Sequence, residues 1–364
     1  MIRFGKISEQ EFLADYWQKK PLLIKQALSN FISPVTPDEL AGLSLEEEFE
    51  SRLITGSTAD QQWSLSEGPF QENDFSCLSE NNWTLLVQAV DRFIPEIEDL
   101  IAHFDFIPRW RFDDVMISYA AKGGSVGPHF DFYDVFLLQG SGSRRWTLSN
   151  KNCHLDNYLK DVPLRIMDKF TSEQVFDVEP GDVLYVPPKV AHHGVSLDDN
   201  CTTLSFGYRS YSHQEMFKDL PQSNPNDYYR DPIWTNSQTP ALIPKSAFKV
   251  ANDISEISAA DFAKFVTKLD SLDQKILQQF EYQQQELEFN ADTIYRLHSV
   301  CKIAYIEINN KIQCFVNGTL LDDHSIDKNT LINFCNQRQL SSIKHLTLSQ
   351  RLFELNLVED IQSD

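Results

Sequence analysis

Between residues 110 and 210, short apolar runs alternate with turns rich in Gly, Pro and Ser. The runs carry mainly Val, Leu, Ile and aromatic residues, and each is too short for a helix but long enough for a strand. Many short strands separated by turns are typical of an all-β barrel or sandwich. The pattern predicts strands at 114–121, 135–139, 144–148, 173–178, 183–186 and 203–208.

The N-terminal segments show a different pattern. The apolar spacing over 8–30 and over 81–107 is mostly helical, so we expect helices there. Residues 50–75 are polar, are punctuated by Gly and Ser, and have little periodicity.

The pattern changes again after residue 210. Residues 211–250 are rich in Pro and Asn, which is typical of a connector, and 258–290 carry a long helical pattern. The dipeptide Asn309-Asn310 is a favourable hairpin turn between two apolar runs. The C-terminal stretch predicts a small α+β, winged-helix-like module with two strands and then two helices, at 301–308, 311–316, 326–337 and 348–358.

These changes suggest how the chain is divided into domains. A length of 364 residues fits two domains, or three small ones. We predict three parts, 1–210 with the strands, 211–290 with the connector and the long helix, and 291–364 with the winged-helix-like module. An amphipathic helix after a connector more often serves packing or dimerisation than ligand binding.

The composition is strongly acidic. The chain has 53 Asp and Glu against 32 Lys and Arg, a net charge of −21. Binding to nucleic-acid phosphates needs a basic footprint, so we expect no direct nucleic-acid contact, even from a winged helix. The charge suits a soluble protein or one that handles a cationic partner.

The sequence also indicates a cellular compartment. No apolar stretch approaches the ~20 residues of a membrane span, and the N-terminus lacks the apolar region of a secretory signal. The six cysteines are dispersed and form no CxxC pair. We therefore expect a cytoplasmic protein with reduced thiols and no membrane association.

The pattern His-x-Asp is a candidate for metal chemistry. Residues two apart on a strand point to the same face, so the pattern puts an imidazole beside a carboxylate. With a second His from another strand, it forms the 2-His-1-carboxylate triad of non-haem Fe(II) oxygenases. The pattern occurs three times, starting at His103, His129 and His154. One match is expected by chance in an acidic chain, so context must separate them.

Only His129 lies at the edge of a predicted strand. His103 ends a helical pattern, and His154 lies in a polar loop. A third ligand can come from the segment that begins at Pro180-Gly-Asp, runs through a short strand and stops at Pro187-Pro188. Two adjacent candidates follow it, His192 and His193, which point in opposite directions. The spacing alone does not choose between them.

A co-substrate with a free carboxylate needs a cationic anchor. Arg144 and Arg145 follow the strand at 135–139 across a Gly-Ser turn, and one of them should face the barrel interior. A hydroxyl on the neighbouring strand, from Ser118 or Tyr119, offers a second donor. Tyr133 and Asp134 fit either a substrate entrance or ordinary strand and turn packing.

Taken together, these segments resemble the Jumonji-C 2-oxoglutarate oxygenases, and among them the bacterial ribosomal oxygenases. The resemblance covers nearly the whole chain, and its most specific parts are the metal and Pro-Gly-Asp segments. It implies an α+β fold with a double-stranded β-helix (jelly-roll, cupin-like), a helical dimerisation region and a C-terminal winged helix. The segments that carry it are Trp17-Gln-Lys-Lys-Pro-Leu-Leu-Ile24, Gly127-Pro-His129-Phe-Asp131, Tyr133 to Gly140, Arg144-Arg145-Trp146, and Pro180 to His192.

The resemblance also implies roles for single residues. It makes His129, Asp131 and His192 the iron ligands, because the last ligand in the family falls four residues after the Pro-Pro pair. The family's cationic anchor falls fifteen residues after the first ligand, which is Arg144, and Ser118 is the implied second contact. The implied cofactors are Fe(II), 2-oxoglutarate as co-substrate, and O2.

The implied activity is protein hydroxylation. The bacterial relatives hydroxylate an arginine at Cβ in L-sixteen, a basic protein of the large ribosomal subunit, while 2-oxoglutarate is converted to succinate and CO2. The implied assembly is a homodimer. The alternatives are another 2-oxoglutarate oxygenase (including an N-methyl-lysine demethylase), another cupin metalloenzyme, and a metal-free acidic docking module. Dependence on 2-oxoglutarate separates the first alternative from the other two.

Overall fold

The structure is a computed structural model that describes residues 1–59, 62–217, 227–235, 239–284, 287–321 and 326–361. The chain forms two compact units. The first comprises residues 1–104 and 112–210, and the second comprises residues 105–111 and 211–364. No helix among the described residues is long and apolar enough to cross a membrane.

The first unit is dominated by antiparallel strands with a few short helices. Its helices are α1 (Glu9–Asp15), α2 (Pro37–Leu43), α3 (Glu72–Ser76) and α4 (Pro95–Leu100). Its strands are β1 (Leu22–Ile24), β2 (Ser51–Gly56), β3 (Trp63–Glu67), β4 (Trp83–Val87), β5 (Phe112–Ala120), β6 (Asp134–Ser141), β7 (Arg144–Ser149), β8 (Gln174–Val178), β9 (Val183–Val186), β10 (Ala191–Ser196) and β11 (Cys201–Tyr208).

These strands form two sheets. The larger sheet has the order β1-β9-β6-β11-β5-β4-β2-β3, and the smaller has the order β10-β7-β8. One buried apolar cluster contains residues of both sheets, for example Leu137 on β6 and Leu184 on β9 with Trp146 and Leu148 on β7. The sheets are therefore packed face to face around a shared interior, which is the predicted sandwich-type barrel.

The outer face of the large sheet is covered by the N-terminal segment. Phe12 of α1 and Trp17 pack against Phe136 and Tyr185, with ring centroids 5.0 to 6.0 Å apart. The Tyr185 hydroxyl donates a hydrogen bond to the fully buried carboxylate of Asp134. This aromatic layer stabilises the face of the sheet that points away from the interior.

The helices expected in 8–30 and 81–107 are present as α1 and α4, but each stretch also contains a strand, β1 and β4 respectively. The stretch 50–75, in which the sequence showed little periodicity, contributes β2 and β3 to the large sheet. Four of the five residues of β4 are buried, so its apolar run shows no alternation that separates strand from helix. Pairing with β2 and β5 decides its conformation.

In the part of the second unit that the structure describes, six helices combine with two small sheets. The sheets have the orders β16-β12-β17 and β13-β14-β15. The helices are α5 (His213–Met216), α6 (Lys245–Ile254), α7 (Ala259–Val266), α8 (Ser271–Gln284), α9 (Lys328–Gln337) and α10 (Leu346–Glu354). The strands are β12 (Ile294–Leu297), β13 (Ile303–Ile308), β14 (Lys311–Val316), β15 (Thr319–Leu321), β16 (Gln339–Ser341) and β17 (Val358–Asp360).

The predicted hairpin at Asn309-Asn310 is confirmed. β13 pairs with β14, and both asparagines have positive φ, which this turn requires. The single helix predicted over 258–290 is wrong, because it ends at Val266 and restarts at Ser271. The carboxylate of Asp270 accepts a hydrogen bond from the backbone N–H of Asp273 and so begins a new helix. The division of 211–364 at residue 290 stays a prediction.

Candidate active site

One loop and one strand of the first unit bring the candidate metal ligands together. His129 and Asp131 lie between β5 and β6, after the Gly127-Pro128 turn, and His192 lies on β10. The backbones of His129 and His192 exchange two hydrogen bonds of 3.0 and 2.8 Å, as in an antiparallel pair. This pairing sets the two imidazoles side by side, with ring centroids 4.2 Å apart.

The three side chains converge on one point. One ligand atom from each lies within 4.8 Å of the others. The Asp131 Oδ2 atom is 3.7 Å from His129 Nε2 and 3.6 Å from His192 Nε2. The Nδ1 atoms of the two histidines lie 3.0 Å from the Gly127 carbonyl and 3.1 Å from the Val190 carbonyl. Those contacts place the ring protons on Nδ1 and leave both Nε2 lone pairs for a metal.

The electrostatics of the site favour neutral imidazole. Burial, followed by the neighbouring His129, lowers the pKa of His192 to about 4. A neutral ring is the form that binds a metal ion. Two imidazole nitrogens and one carboxylate oxygen on one side of a point match the donor set of non-haem Fe(II). The residues therefore fit the metal that the sequence predicts.

The side chains of His192 and His193 point in different directions. The side chain of His192 is buried and turns to the cluster, whereas that of His193 turns away and packs edge-on against Phe170. The next residue, Gly194, lies opposite Trp146, and a Cβ there would be 2.6 Å from the indole ring. The glycine lets the indole lie close to the strand beside the ligands.

The other two His-x-Asp matches lie outside the metal cluster. His103 lies in a 3-10 turn, and Asp105 pairs with Arg109. His154 is exposed and binds the carboxylate of Asp156 in the same loop. Within the described residues, the grouping of His129, Asp131 and His192 is the single cluster suited to a metal ion.

The metal cluster opens into a cavity of about 330 Å³. Arg144, Trp146 and Ser118 line it together with the three candidate ligands. These residues come from both sheets, so the cavity lies in the interior that the sandwich encloses. The predicted anchor and the predicted metal site therefore share one pocket.

Strand alternation places Arg144 and Ser118 on the side of the pocket and Arg145 and Tyr119 away from it. Arg144 is only 3% exposed, whereas Arg145 points outward and pairs with Asp177 at 2.7 Å. Ser118 is buried in the pocket, whereas the Tyr119 hydroxyl points to the backbone carbonyl of Asp199. Arg144 Nη2 has no hydrogen-bond partner in the part of the chain that the structure describes. An unpaired buried guanidinium nitrogen is what a ligand carboxylate would satisfy.

A second charged group in the pocket was not expected from the sequence. Asp113 and Asp114 line the pocket at the start of β5. Burial, followed by the charges of Asp113 and Asp91, raises the pKa of Asp114 to about 7. Gln88 Nε2 and the Ala89 N–H donate to its Oδ2 atom. Two adjacent acids at the start of a predicted strand were a signal that could have indicated them.

Of the two residues that fit either a substrate entrance or ordinary packing, Tyr133 lies at the pocket and Asp134 does not. Tyr133 lines the pocket. Asp134 lies on the other face of the sheet, where it accepts hydrogen bonds from Tyr185 and Gln18. Tyr133 directly precedes β6 and Asp134 is its first residue, and the two side chains lie on different sides of the large sheet.

Known proteins resemble the chain in sequence. The family model of the JmjC domain matches residues 99–216. The ribosomal protein uL16 3-hydroxylase of Escherichia coli is 40% identical over 253 residues, which cover 68% of this chain and 66% of that protein. A probable ribosomal oxygenase of Haemophilus influenzae is 44% identical over 206 residues, which cover 56% of this chain and 50% of that protein. The chain thus spans less than two thirds of these curated relatives.

Solved structures resemble the chain over almost its full length. A crystal structure of YcfD from E. coli superposes with a TM-score of 0.71 at 27% identity and covers 98% of both chains. A structure of YcfD, a ribosomal oxygenase from E. coli, in complex with cobalt and 2-oxoglutarate superposes with a TM-score of 0.69 at 27% identity, covering 98% of this chain and 99% of that one. The barrel, the converged His-Asp-His cluster and these relatives agree: residues 99–216 match the JmjC domain, and the chain is similar over almost its full length to a solved ribosomal oxygenase.

Proposed function

We propose that this protein is an Fe(II)- and 2-oxoglutarate-dependent protein hydroxylase. Its substrate is an arginine, hydroxylated at Cβ, in uL16, the L-sixteen protein of the large ribosomal subunit. The observation that carries the proposal is the joint presence, in one pocket, of the converged triad and a buried arginine whose Nη2 atom lacks a partner.

The metal site uses three side chains of this chain. His129, Asp131 and His192 hold Fe(II), and the bound iron supplies the activation of O2 for C–H hydroxylation. The backbone carbonyls at Nδ1 fix the orientation of both rings. The Lys189 N–H donates to the Asp131 carbonyl at 2.7 Å and holds the loop of the carboxylate ligand beside the strand that carries His192. These contacts keep the donor set in place before the metal arrives.

The co-substrate site follows from Arg144 and Ser118. Arg144 binds the distal carboxylate of 2-oxoglutarate, because its guanidinium is buried, charged and only partly paired. Ser118 lies on β5 and offers its hydroxyl as a second donor inside the same pocket. Arg144 and the metal cluster occupy different positions in one cavity. A 2-oxoglutarate molecule held by Arg144 at its distal carboxylate therefore directs its 2-oxo acid end toward the metal ligands.

Acidic residues of the pocket support a cationic substrate side chain. Asp113, Asp114 and Tyr133 are among the residues that line the pocket, and they offer carboxyl groups and an aromatic ring to a guanidinium. The net charge of −21 attracts a basic protein segment over a longer range. The named activity of the E. coli relative makes uL16 the partner to test first.

The test is turnover of a uL16 peptide with Fe(II), 2-oxoglutarate and O2, followed by mass spectrometry. We expect one added oxygen atom on an arginine and matching succinate formation, both abolished in His129→Ala. The variant His154→Ala is the matched control, since it removes an exposed histidine from the same motif outside the pocket. Succinate without a modified peptide would reject this substrate and point to another protein or to demethylation. No succinate from metal-loaded protein would reject the enzyme itself.

The C-terminal parts of the chain also have proposed roles. Residues 211–290 mediate homodimerisation, and 291–364 form the winged-helix domain. The support is the highly exposed apolar side chains of Tyr282 on α8 and Leu287 after it, 76% and 61% exposed. Light scattering after size exclusion tests the first role, and Tyr282→Asp should give monomers. Val175→Asp changes an exposed apolar residue of the first unit and should leave the dimer intact.

A further inference from the structure

The guanidinium of Arg144 is held on one side. Its Nε atom donates to the sulfur of Cys201 at 3.3 Å, and its central carbon lies 5.6 Å from the centre of the Trp146 ring. Its Nη2 atom has no partner among the described residues. The side chain is 3% exposed, so bulk water does not complete its hydrogen bonds.

Cys201 is itself held in place. It is the first residue of β11, is fully buried, and pairs with Ala120 on β5. Gln139 Nε2 donates to its sulfur at 3.4 Å and to the Ser141 carbonyl at 2.7 Å. The Gln139 amide oxygen accepts a hydrogen bond from the Thr203 hydroxyl at 3.2 Å, which fixes which way the amide points. The sulfur therefore lies between two N–H donors in a set orientation.

We propose that Cys201 is the positioning residue of the co-substrate anchor. By accepting the hydrogen bond from Nε, it fixes the rotation of the Arg144 guanidinium so that the Nη edge is left for the distal carboxylate of 2-oxoglutarate. This inference rests on the proposed function, because it assigns a role toward that co-substrate.

The chemistry of sulfur explains why a cysteine suits this position. A thiol is a weak acceptor without charge, so it orients the guanidinium and leaves its positive charge uncompensated. A carboxylate in the same place would form a strong ion pair with Arg144 and compete with the ligand. A buried cation that is oriented but not neutralised binds an incoming dicarboxylate more strongly.

A purely structural role makes a different prediction. A small buried cysteine often fills space between strands, and its loss then affects all properties of the pocket together. A positioning role affects only ligands that reach Arg144. Two 2-oxo acids separate these cases. 2-Oxoglutarate has a distal carboxylate, and 2-oxobutyrate has the same metal-binding end without one.

The experiment measures binding by calorimetry in Mn(II)-loaded protein without O2, so it does not depend on turnover. We expect Cys201→Ala and Cys201→Val to weaken 2-oxoglutarate binding roughly 10-fold, the usual effect of losing one hydrogen bond to a charged group. Binding of 2-oxobutyrate should stay within about twofold of the wild type. Cys201→Ser keeps an acceptor and should recover most of the affinity.

The matched control is Cys301→Ala. Cys301 is also buried, and its sulfur also accepts an N–H donor, Asn317 Nδ2 at 3.3 Å, but it lies in the second unit. Its loss should leave both dissociation constants unchanged. Equal weakening of both 2-oxo acids, or unchanged 2-oxoglutarate binding in both Cys201 variants, overturns the proposal while the proposed function stands. Wild-type protein that binds no 2-oxoglutarate overturns both.

Discussion

Replacing Asp114 with Asn should stabilise the protein in a pH-dependent way. The carboxyl group is buried in the pocket, and its pKa is raised from 3.8 to about 7 by burial and by the charges of Asp113 and Asp91. In the unfolded chain it ionises near its ordinary pKa. At a pH between the unfolded-state and folded-state pKa values, the folded state binds the proton more tightly, so rising pH lowers the free energy of unfolding.

The magnitude follows from the size of the shift. Each pH unit between the two pKa values costs about 1.4 kcal/mol of stability through this one group. Between pH 5 and pH 7, the wild type should therefore lose up to about 3 kcal/mol relative to Asp114→Asn, and the difference should level off above about pH 8. Asparagine has nearly the same shape as aspartic acid and does not titrate, so the variant does not lose stability through this group as the pH rises.

Urea unfolding of metal-free protein at pH 5, 6, 7 and 8 measures the effect. The relevant quantity is the difference in unfolding free energy between the variant and the wild type, because it cancels the other titrating groups. Asp168→Asn removes an exposed carboxylate and should show a flat difference across the series. If the difference in unfolding free energy for Asp114→Asn is also independent of pH, the reasoning that burial of this carboxyl group destabilises the folded protein at high pH is refuted.

Three further predictions concern the pocket. Calorimetry should show that His192→Ala weakens Mn(II) binding about 100-fold. His193→Ala should leave Mn(II) binding nearly unchanged, because the His192 side chain belongs to the cluster and the His193 side chain does not. Arg144→Met should weaken 2-oxoglutarate binding by about 3 kcal/mol in the same measurement and leave Mn(II) binding intact. The control Arg145→Met should change neither affinity, because the Arg145 side chain points outward. Gly194→Ala should lower the melting temperature, because a Cβ would lie 2.6 Å from the indole ring opposite. A melting temperature equal to the wild type would contradict that close approach.

The sequence alone determined which segments to consider for the site. His129 and Asp131 are two residues apart after a turn, and Arg144 follows a glycine-rich turn after a buried strand, so local spacing indicated the candidates for the metal cluster and the anchor. Local turn preferences were equally informative at Asn309-Asn310. Resemblance to a family then selected His192 as the last ligand. These features depend on short stretches of chain, which is why a pattern can indicate them.

Tertiary structure decided what depends on distant pairing. β2, β3 and β4 were missed because their polar or uniformly apolar stretches become strands only when they pair within the large sheet. The orientation of Arg144 against Arg145 required the register with β8 and β10. The sulfur of Cys201 meets Arg144 Nε across 57 positions of sequence. A hydrogen bond between residues far apart in the chain leaves no periodic signal in the sequence, so only the folded barrel brings such partners together.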